Sequence, residues 1–463
     1  MYVGSFTLSE NIIDVNIIIS INFIFNYTYI LIVMKLFLIV ISVLYSQTWE
    51  PFHGFDQKFH KYKSINYIQI DSMNNDNSSQ LRQNLSHKVI GYLPYWMYDT
   101  YNEIDYSLLT EINYFSAELN EYGNIINDHN WDNINFINYA QQRGVKVKLC
   151  ATLFDSNQLE ILLSNSLNRT NAIFNLLNKV LDQNADGIDI DFELVPSSQR
   201  ENLVIFMQEL SDVFHSNISD PVITMATPAI DWSNSWDYNA LAQICDGLFI
   251  MGYNYFYSGS STAGPISPLG GYFYDLDYTV NDYIQKTNFQ LDKLILGLPY
   301  YGYDWPVTSS IIHSTTTSSG EALTYNNVES ILNQNFSNWN TISNAVWFPY
   351  NNSDNWNQVW YDDSLSLSIK YNFAKQANLA GVGIWALGYD NNSTKMWGSI
   401  RDQFADGLFG DLNYDLEINI LDITLLILNI TSNDLYIVNF DLNQDTIINI
   451  QDIILLVNLI LDS

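Results

Sequence analysis

The sequence predicts an α/β fold in which short apolar strands alternate with longer helical segments, the order expected of a (β/α)8 barrel. A chain of 463 residues, 47% of them hydrophobic, is long and apolar enough to bury such a core. A third observation is that carboxylates occupy alternate positions of the fourth strand. The eight predicted strands lie near Val89, Ile112, Val145, Gly187, Val222, Gly247, Lys293 and Gly381.

Helices are predicted between these strands, for example around Glu160–Leu181 and Gln199–His215. The segment between the seventh and eighth strands, about residues 303–380, is too long for a single helical crossover and predicts a small inserted lobe. Active sites of (β/α)8 barrels lie at the carboxyl ends of the strands. Glu193, Tyr253 and Trp385 all fall at such ends.

Residues Asp186–Glu193 read Asp-Gly-Ile-Asp-Ile-Asp-Phe-Glu. Successive side chains of a strand point to opposite sides, so Asp189, Asp191 and Glu193 share one face, and the other face is apolar. Like charges this close cannot all ionise, so the pKa of at least one carboxyl must rise, and a carboxyl protonated near neutral pH can act as a general acid. The alternative is a solvent-facing row on an antiparallel edge strand, but the flanking helices favour a buried parallel strand.

The spacing Asp-x-x-Asp-x-Asp-x-Glu in this octet resembles the signature of glycoside hydrolase family 18, the chitinases and their relatives. Other segments between about residues 88 and 407 resemble the family in the same order. They are Lys-Val-Ile-Gly-Tyr-Leu-Pro-Tyr at 88–95, Ile-Asn-Tyr-Phe-Ser-Ala at 112–117, Ile-Met-Gly-Tyr-Asn at 250–254, Leu-Gly-Leu-Pro-Tyr-Tyr-Gly-Tyr-Asp-Trp at 296–305 and Gly-Ile-Trp-Ala-Leu-Gly at 383–388.

The resemblance implies a TIM barrel over residues 87–408 with a small α+β insertion between strands seven and eight. It implies a glycosidase that cleaves β-linked N-acetylglucosamine glycans, such as chitin or chitooligosaccharides, by substrate-assisted retaining catalysis without a cofactor. Glu193 would be the acid, Asp191 would orient the acetamido group, and Asp189 would tune the charge of Asp191. The implied catalytic residues are Glu193, Asp191, Asp189 and Tyr253, and the implied substrate-binding residues are Tyr92, Met251, Asn254 and Trp385.

Two positions depart from the family pattern. Asn254 stands where many members have Asp, which predicts a changed substrate preference or pH profile. The third strand ends in Cys-Ala-Thr-Leu-Phe, residues 150–154, where chitinases usually show a Ser-x-Gly-Gly segment. Peptidoglycan and N-linked glycans therefore remain alternative substrates. A non-catalytic glycan-binding protein is a further alternative, although its usual mark, loss of the acid, is absent because Glu193 is present.

The net charge and the two cysteines argue against certain binding partners and against a cysteine metal site. The formal net charge of −32 argues against nucleic acid and anionic membrane surfaces. The two cysteines, Cys150 and Cys245, lie in or beside predicted barrel strands, which predicts buried free thiols and not a metal site.

The amino-terminal 86 residues are predicted to lie outside the barrel. From Met34 a lysine, a short apolar run and small or polar residues predict a secretory signal, so residues 1–46 are interpreted as a misassigned start plus signal peptide, with an N-terminal anchor as the alternative. Residues 47–86 are predicted to be a flexible polar spacer. The predicted location is secreted or at the cell surface.

Residues 409–463 contain two acidic loops, 411–422 and 441–452, that repeat at an interval of thirty residues. Oxygen side chains at alternate positions, closed by Asp and followed by an apolar helix, suit calcium. The duplicated unit resembles a type I dockerin, a small all-α domain, which implies two calcium sites and a cohesin-type partner; a pair of solvated acidic turns is the alternative. The candidate ligands are Asp411, Asn413, Asp415, Glu417, Asn419, Asp422, Asp441, Asn443, Asp445, Ile447, Asn449 and Asp452.

Overall fold

The chain divides into two compact units, residues 1–55 and residues 56–463. In the first unit the described residues, 51–55, contain the start of a helix. The predicted signal sequence lies outside the described residues. The computed structural model describes residues 51–60, 84–332, 335–352, 355–405, 410–413, 417–432, 440–443 and 447–462.

Two sheets are present in the described part of the second unit. Their strands are β1 (Lys88–Pro94), β2 (Glu111–Leu119), β3 (Ile125–Asn127), β4 (Lys146–Leu153), β5 (Gly187–Phe192), β6 (Val222–Pro228), β7 (Gly247–Met251), β8 (Leu294–Pro299), β9 (Tyr301–Val307), β10 (Glu321–Thr324), β11 (Asn338–Asn340), β12 (Ala345–Asn352), β13 (Asn355–Tyr361) and β14 (Gly381–Trp385).

The first sheet is a closed parallel barrel. Strands β1, β2, β4 to β8 and β14 each pair in parallel with their neighbours, and β1 pairs with both β2 and β14, which closes the sheet. The short strand β3 extends β2 in antiparallel orientation. The predicted (β/α)8 barrel and its eight strand positions are confirmed.

Strand β5 shows why the acids point into the barrel. Ile188, Ile190 and Phe192 are fully buried, and the ring of Phe192 lies 5.3 Å from that of Phe206 on an outer helix. Because side chains alternate along a strand, the residues between them face the interior. At the start of the strand Asp186 accepts a 2.7 Å hydrogen bond from the Val147 backbone nitrogen and so braces the entrance of β5 against β4.

Helices surround the barrel, and one predicted helix is divided. The segment predicted as Glu160–Leu181 forms two helices separated at Asn165, whose side chain accepts a hydrogen bond from the Leu167 nitrogen and caps the second. The helices are α1 (Phe52–His60), α2 (Phe136–Gln141), α3 (Ser156–Ser164), α4 (Ser166–Asp182), α5 (Arg200–Asn217), α6 (Tyr238–Ile244), α7 (Leu276–Lys286), α8 (Tyr325–Leu332), α9 (Ser364–Gln376), α10 (Thr394–Phe404), α11 (Ile420–Ser432) and α12 (Ile450–Asp462). Short 3-10 segments cover Tyr95–Glu103, Tyr106–Leu108, Trp131–Asn133, Ser197–Gln199 and Leu291–Lys293.

The predicted insertion forms the second sheet, which has five antiparallel strands in the order β10, β9, β13, β12, β11. It begins at Tyr301, directly after β8, and its last strand ends at Tyr361. Helix α9 then packs against β14, so the final part of the predicted 303–380 segment is a helix of the barrel's outer layer. With α8 included, the lobe has the α+β character that the resemblance implies.

The prediction of a flexible spacer over residues 47–86 is wrong for residues 52–60, which form helix α1. The polar composition behind that prediction comes from the later residues, whereas residues 51–60 contain three Phe and two His. Residues 61–83, the greater part of the predicted spacer, lie outside the described residues.

The tail contains the two predicted helices, α11 and α12, each preceded by one of the acidic loops. They share a small apolar core and pack against each other. The buried members of this core are Leu412, Leu426, Phe440, Leu442 and Leu456.

Cys150 and Cys245 are buried and free, as predicted. Among the described residues no helix combines the length and apolarity needed to cross a membrane.

Candidate active site

The predicted acids lie in the barrel interior and at its mouth. Asp189 and Asp191 are fully buried, and Glu193 is nearly so. The Tyr92 hydroxyl donates to Asp189 Oδ2 at 2.7 Å, and the Thr224 hydroxyl donates to Oδ1 at 2.5 Å. Both carboxylate oxygens of Asp189 therefore have a donor from another strand.

Asp191, the second of the three acids, has a clearly raised pKa. Burial raises its pKa well above the ordinary value, and the negative charge of Asp189 raises it further. The prediction that at least one carboxyl pKa rises is confirmed. Asp191 therefore retains a proton at pH values where an exposed aspartate has lost it.

Glu193 follows β5 directly and lies where the barrel opens. Its backbone nitrogen donates to the Leu153 carbonyl oxygen at 3.3 Å, which continues the pairing of β5 with β4 by one residue. The next residue, Leu194, has a φ of 63°, a left-handed conformation that a leucine rarely adopts. The chain thus turns immediately after the acid, and Glu193 is the last residue held in line with the strand.

Tyr253 lies two residues beyond the end of β7 and is buried. Burial first, and then the charges of Asp191 and Glu193, raise the pKa of its hydroxyl well above the ordinary value of 10. The hydroxyl is therefore a permanent hydrogen-bond donor beside the two acids. Met251, the last residue of β7, is also buried.

Asn254 adopts a φ of 59°, a conformation that Asn tolerates better than most residues. Its Oδ1 accepts a 2.6 Å hydrogen bond from the Tyr301 hydroxyl. The rings of Tyr301 and Tyr253 lie 6.0 Å apart in an edge arrangement. The amide that replaces the common Asp is therefore held in place by the first strand of the insertion.

Trp385 ends β14, and its indole lies among other aromatic rings at the same end of the barrel. Its ring centroid is 5.5 Å from that of Tyr92 and 5.0 Å from that of Phe115. The peptide bond between Trp385 and Ala386 is cis. The structure thus brings the predicted tryptophan and the predicted Tyr92 together beside the acids.

Sequence comparison decides which family this site belongs to. The family profile described as "Glycosyl hydrolases family 18" matches residues 88–390. The chain belongs to this family. The matched region contains every predicted catalytic and substrate-binding residue of the barrel.

Two relatives illustrate the range of family 18 proteins to which this chain is similar. The cortical fragment-lytic enzyme of Bacillus subtilis is 30% identical over 227 residues, which cover 47% of this chain and 49% of the relative. Human di-N-acetylchitobiase is 27% identical over 278 residues, which cover 53% of this chain and 68% of the relative. The chain spans about half the length of the Bacillus subtilis relatives first matched.

Solved structures show the same fold. The family 18 chitinase from Cycas revoluta, in complex with (GlcNAc)3, superposes with a TM-score of 0.63 at 18% identity, covering 68% of this chain and 99% of that chain. At this identity the likeness concerns the family 18 barrel and not the substrate.

Two residues beside Asp189 were not predicted from the sequence as members of the family 18 site. Thr224 and Cys150 stand beside Asp189 on the neighbouring strands, in register with it. Burial first, and then Asp189, raise the pKa of the Cys150 thiol. Thr224 also accepts a 2.8 Å hydrogen bond from buried Lys148. Inward alternation along β4 and β6 could have identified both, but only once their register with β5 was known.

The calcium candidates of the tail are only partly described, since Asp415 and Asp445 lie outside the described residues. Asp411, Asp422, Asp441 and Asp452 are buried. Asp422 Oδ1 accepts hydrogen bonds from the backbone nitrogens of Leu412 and Asn413 at 2.7 and 3.0 Å, and its Oδ2 accepts one from Asn419 at 2.8 Å.

The second loop repeats this arrangement. Asp452 accepts hydrogen bonds from the backbone nitrogens of Asn443 at 3.2 Å and Asn449 at 2.8 Å. The Ile447 carbonyl oxygen, also a candidate ligand, accepts one from the Asn449 side chain. Glu417 accepts a corresponding bond from Asn419 in the first loop. Buried carboxylates in a segment without Lys or Arg fit an oxygen-bound cation.

Proposed function

We propose that this family 18 chain is a secreted glycosidase that hydrolyses β-linked N-acetylglucosamine glycans, with chitooligosaccharides as its substrate class. The observation that carries the proposal is the juxtaposition of Asp191, with its raised pKa, and Tyr253, a permanent donor, at the strand ends where Glu193 emerges. Acid and donor groups at the mouth of a (β/α)8 barrel suit general acid catalysis on a bound sugar.

Glu193 would protonate the glycosidic oxygen. Family 18 is an exception to the scheme of two flanking carboxylates, because the 2-acetamido oxygen of the sugar attacks the anomeric carbon in place of a carboxylate nucleophile. An oxazolinium ion forms as the bond to the leaving sugar breaks. Water then opens the ion, and Glu193 takes up the proton of that water, which returns the site to its starting state.

Asp191 and Tyr253 would hold the acetamido group during these steps. Tyr253 donates a hydrogen bond to the acetamido carbonyl oxygen, and the unprotonated oxygen of Asp191 accepts one from the acetamido nitrogen. The negative charge of the Asp189–Asp191 pair stabilises the positive charge that develops on the acetamido group. Asp189, fixed by Tyr92 and Thr224, supplies the negative charge that tunes Asp191. No metal or cofactor is needed for this chemistry.

Trp385 would form the apolar floor of the sugar site, since pyranose rings present apolar faces that stack on aromatic rings. Tyr92 and Met251 would line the same pocket, and Asn254 would contact the sugar with an amide where an acid is common. Each of these side chains is at the same end of the barrel as Glu193.

Peptidoglycan is the second candidate substrate. It is favoured by the unusual end of the third strand, residues 150–154. N-linked glycans are a third, and a glycan-binding protein without activity is the remaining alternative. The presence of Glu193, Asp191 and Tyr253 favours an enzyme over that last alternative.

A panel of substrates tests the proposal. The full chain is incubated with N-acetylglucosamine oligomers, with the fully deacetylated oligomers, with peptidoglycan and with N-glycans, and the products are identified by mass spectrometry. Cleavage of the acetylated oligomers alone supports substrate assistance on chitooligosaccharides. Equal cleavage of the deacetylated oligomers would refute the substrate-assisted mechanism. Cleavage of peptidoglycan or N-glycans alone would assign the protein to that substrate class in place of chitooligosaccharides.

We propose in addition that the tail binds two calcium ions and docks to a cohesin-type protein. Buried Asp422 and Asp452, repeated in equivalent positions, support the metal sites. Large apolar residues exposed on both tail helices support a docking surface, since exposed apolar area is used to bind protein partners. These residues are Ile420, Leu421, Ile427, Leu428, Ile450, Ile454, Leu455 and Leu461.

A further inference from the structure

Residues 56–60, the last part of helix α1, contact the end of the barrel that carries the candidate active site. Three side chains of this short segment reach residues that belong to or follow β1, β2 and β14. The contacts are those of Asp56 with Trp385 and Tyr389, of Gln57 with Ser116 and Glu118, and of His60 with Trp96.

Asp56 occupies the polar edge of the proposed sugar floor. Its Oδ2 accepts a hydrogen bond from Trp385 Nε1 at 2.9 Å and one from the Tyr389 hydroxyl at 3.1 Å. The Tyr389 hydroxyl in turn accepts one from Trp96 Nε1 at 3.1 Å. The Asp56 carboxylate is thus hydrogen-bonded directly to the Trp385 indole and, through the Tyr389 hydroxyl, to the Trp96 indole.

The Asp56 carboxylate also lies near the catalytic groups. Its charge, after burial and the charges of Asp191 and Glu193, contributes to the raised pKa of Tyr253. Burial, followed by Tyr303 and Tyr253, raises the pKa of Tyr301, the partner of Asn254, and the Asp56 charge adds to these causes. The charge of Asp56 thus contributes to the electrostatics of the site, in addition to its hydrogen bond with Trp385.

His60 and Gln57 cover the adjoining surface. The His60 ring stacks on the Trp96 indole with centroids 4.7 Å apart and planes inclined by 15°. The Gln57 amide donates to Glu118 Oε1 at 3.1 Å and to the Ser116 hydroxyl at 3.4 Å. A flat ring on a tryptophan face, flanked by amide hydrogen bonds, is the kind of contact that a sugar ring and its acetamido substituent make with a protein.

We propose that residues 56–60 are an intramolecular inhibitor, which binds the surface formed by Trp96 and Trp385 and is displaced when a glycan binds. The inference rests on the proposed function, because it takes Trp385 as the floor of the sugar site. A glycan that stacks on Trp385 and extends over Trp96 would need the space that Asp56 and His60 occupy. Since only the molecules with the segment displaced can bind sugar, the apparent affinity falls in proportion to their fraction.

Kinetics of segment variants test the inference in the full chain. The Asp56→Ala/His60→Ala double variant is expected to lower the KM for a chromogenic N-acetylglucosamine trimer by about tenfold, because the contacts that compete with the sugar are removed. Lys58→Ala is the matched control, since Lys58 is an exposed residue of the same helix, and its KM should equal that of the parent. An unchanged or higher KM in the double variant would overturn the inference.

Two further measurements do not require turnover. In a Glu193→Gln background, calorimetry should show the trimer binding about tenfold more tightly after Asp56→Ala/His60→Ala. Amide hydrogen exchange of residues 56–60 should be slow without sugar and should accelerate when saturating trimer is added. Exchange that stays equally slow with the trimer bound would contradict displacement.

The outcomes separate this inference from the proposed function. Tighter trimer binding without hydrolysis by any variant would refute the glycosidase and keep the inhibitor. Hydrolysis with identical kinetics in parent and double variant would keep the glycosidase and refute the inhibitor. Neither hydrolysis nor binding of the trimer would refute both.

Discussion

The hydroxyl of Tyr92 donates a 2.7 Å hydrogen bond to Asp189 Oδ2 across the interior of the barrel. Tyr92 belongs to β1 and Asp189 to β5, two strands that are not neighbours in the sheet. With Thr224 on the other oxygen, the bond fixes the carboxylate whose charge raises the pKa of Asp191. The electrostatics of the site thus depend on contacts between residues far apart in the sequence.

Removal of the Tyr92 donor should lower activity. Tyr92→Phe leaves one oxygen of a fully buried carboxylate without its donor, which should cost about 1 to 3 kcal/mol of stability. Because Asp189 then shifts relative to Asp191, kcat should fall about tenfold with little change in KM. Steady-state kinetics and thermal melting check both effects.

Tyr283→Phe is the control for this variant. Tyr283 is a buried tyrosine of α7 whose hydroxyl donates to the Pro228 carbonyl oxygen at 2.7 Å. Its loss should cost comparable stability and leave kcat unchanged. Equal losses of activity in the two variants would show that Tyr92 serves stability alone.

The raised pKa of Asp191 should make stability fall with rising pH. Below its ordinary pKa of 3.8 the carboxyl is protonated in both the folded and the unfolded chain. Above that value the unfolded chain loses the proton first, so the folded state binds more protons and its stability falls until the raised pKa is passed. Asp191→Asn removes this contribution, and its melting temperature should therefore fall less steeply with pH than that of the parent.

Melting curves between about pH 4 and pH 7, the range in which carboxyl groups with raised pKa values titrate, measure this difference. Asp220→Asn is the control because the Asp220 side chain is 92% exposed. Parallel pH dependence in the parent and in Asp191→Asn would contradict a raised pKa for Asp191.

Asn254→Asp should fold normally and change the pH profile. Asp accepts the same hydrogen bond from Tyr301 and tolerates the left-handed backbone at this position. The added negative charge beside Tyr253 favours the protonated form of a nearby acid, so the alkaline limb of the activity profile should move to higher pH. An Asn254→Asp protein with unchanged pH profile and unchanged substrate preference would refute a role for Asn254.

Calcium should stabilise the tail and leave the barrel unaffected. Asp422 and Asp452 are buried in a segment that contains no Lys or Arg to balance their charge. Removal of calcium by a chelator should therefore destabilise the tail and accelerate amide exchange in α11 and α12. Asp422→Asn/Asp452→Asn should abolish the response to calcium. If amide exchange in the tail changes neither with added calcium nor with chelator, the metal sites are ruled out.

The barrel and its row of acids could be predicted from sequence because both follow local patterns. The alternation of acidic and apolar residues places Asp189, Asp191 and Glu193 on one face whatever the rest of the chain does. The contact of Thr224 with Asp189 depends instead on strand register, which no local pattern specifies. The capping side chain of Asn165 divides a helix that periodicity alone predicts as continuous.

Helix α1 escaped prediction for a related reason. The composition of residues 47–86 as a whole is polar, and averaging over that window hid the aromatic residues at its beginning. The contacts that hold Asp56 and His60 join them to Trp385 and Trp96, which lie up to 329 positions away in the chain. Contacts over such separations are apparent only in the folded structure.

The most direct test of the account is hydrolysis of N-acetylglucosamine oligomers by the full chain beside its Glu193→Gln variant, followed by mass spectrometry of the products. The parent should release shorter oligomers, and Glu193→Gln should be slower by a factor of roughly 10² to 10⁴, because loss of a general acid removes about that much catalysis. Equal cleavage by the two proteins would contradict the assignment of Glu193 as the acid. Cleavage by neither protein would contradict hydrolysis of these oligomers.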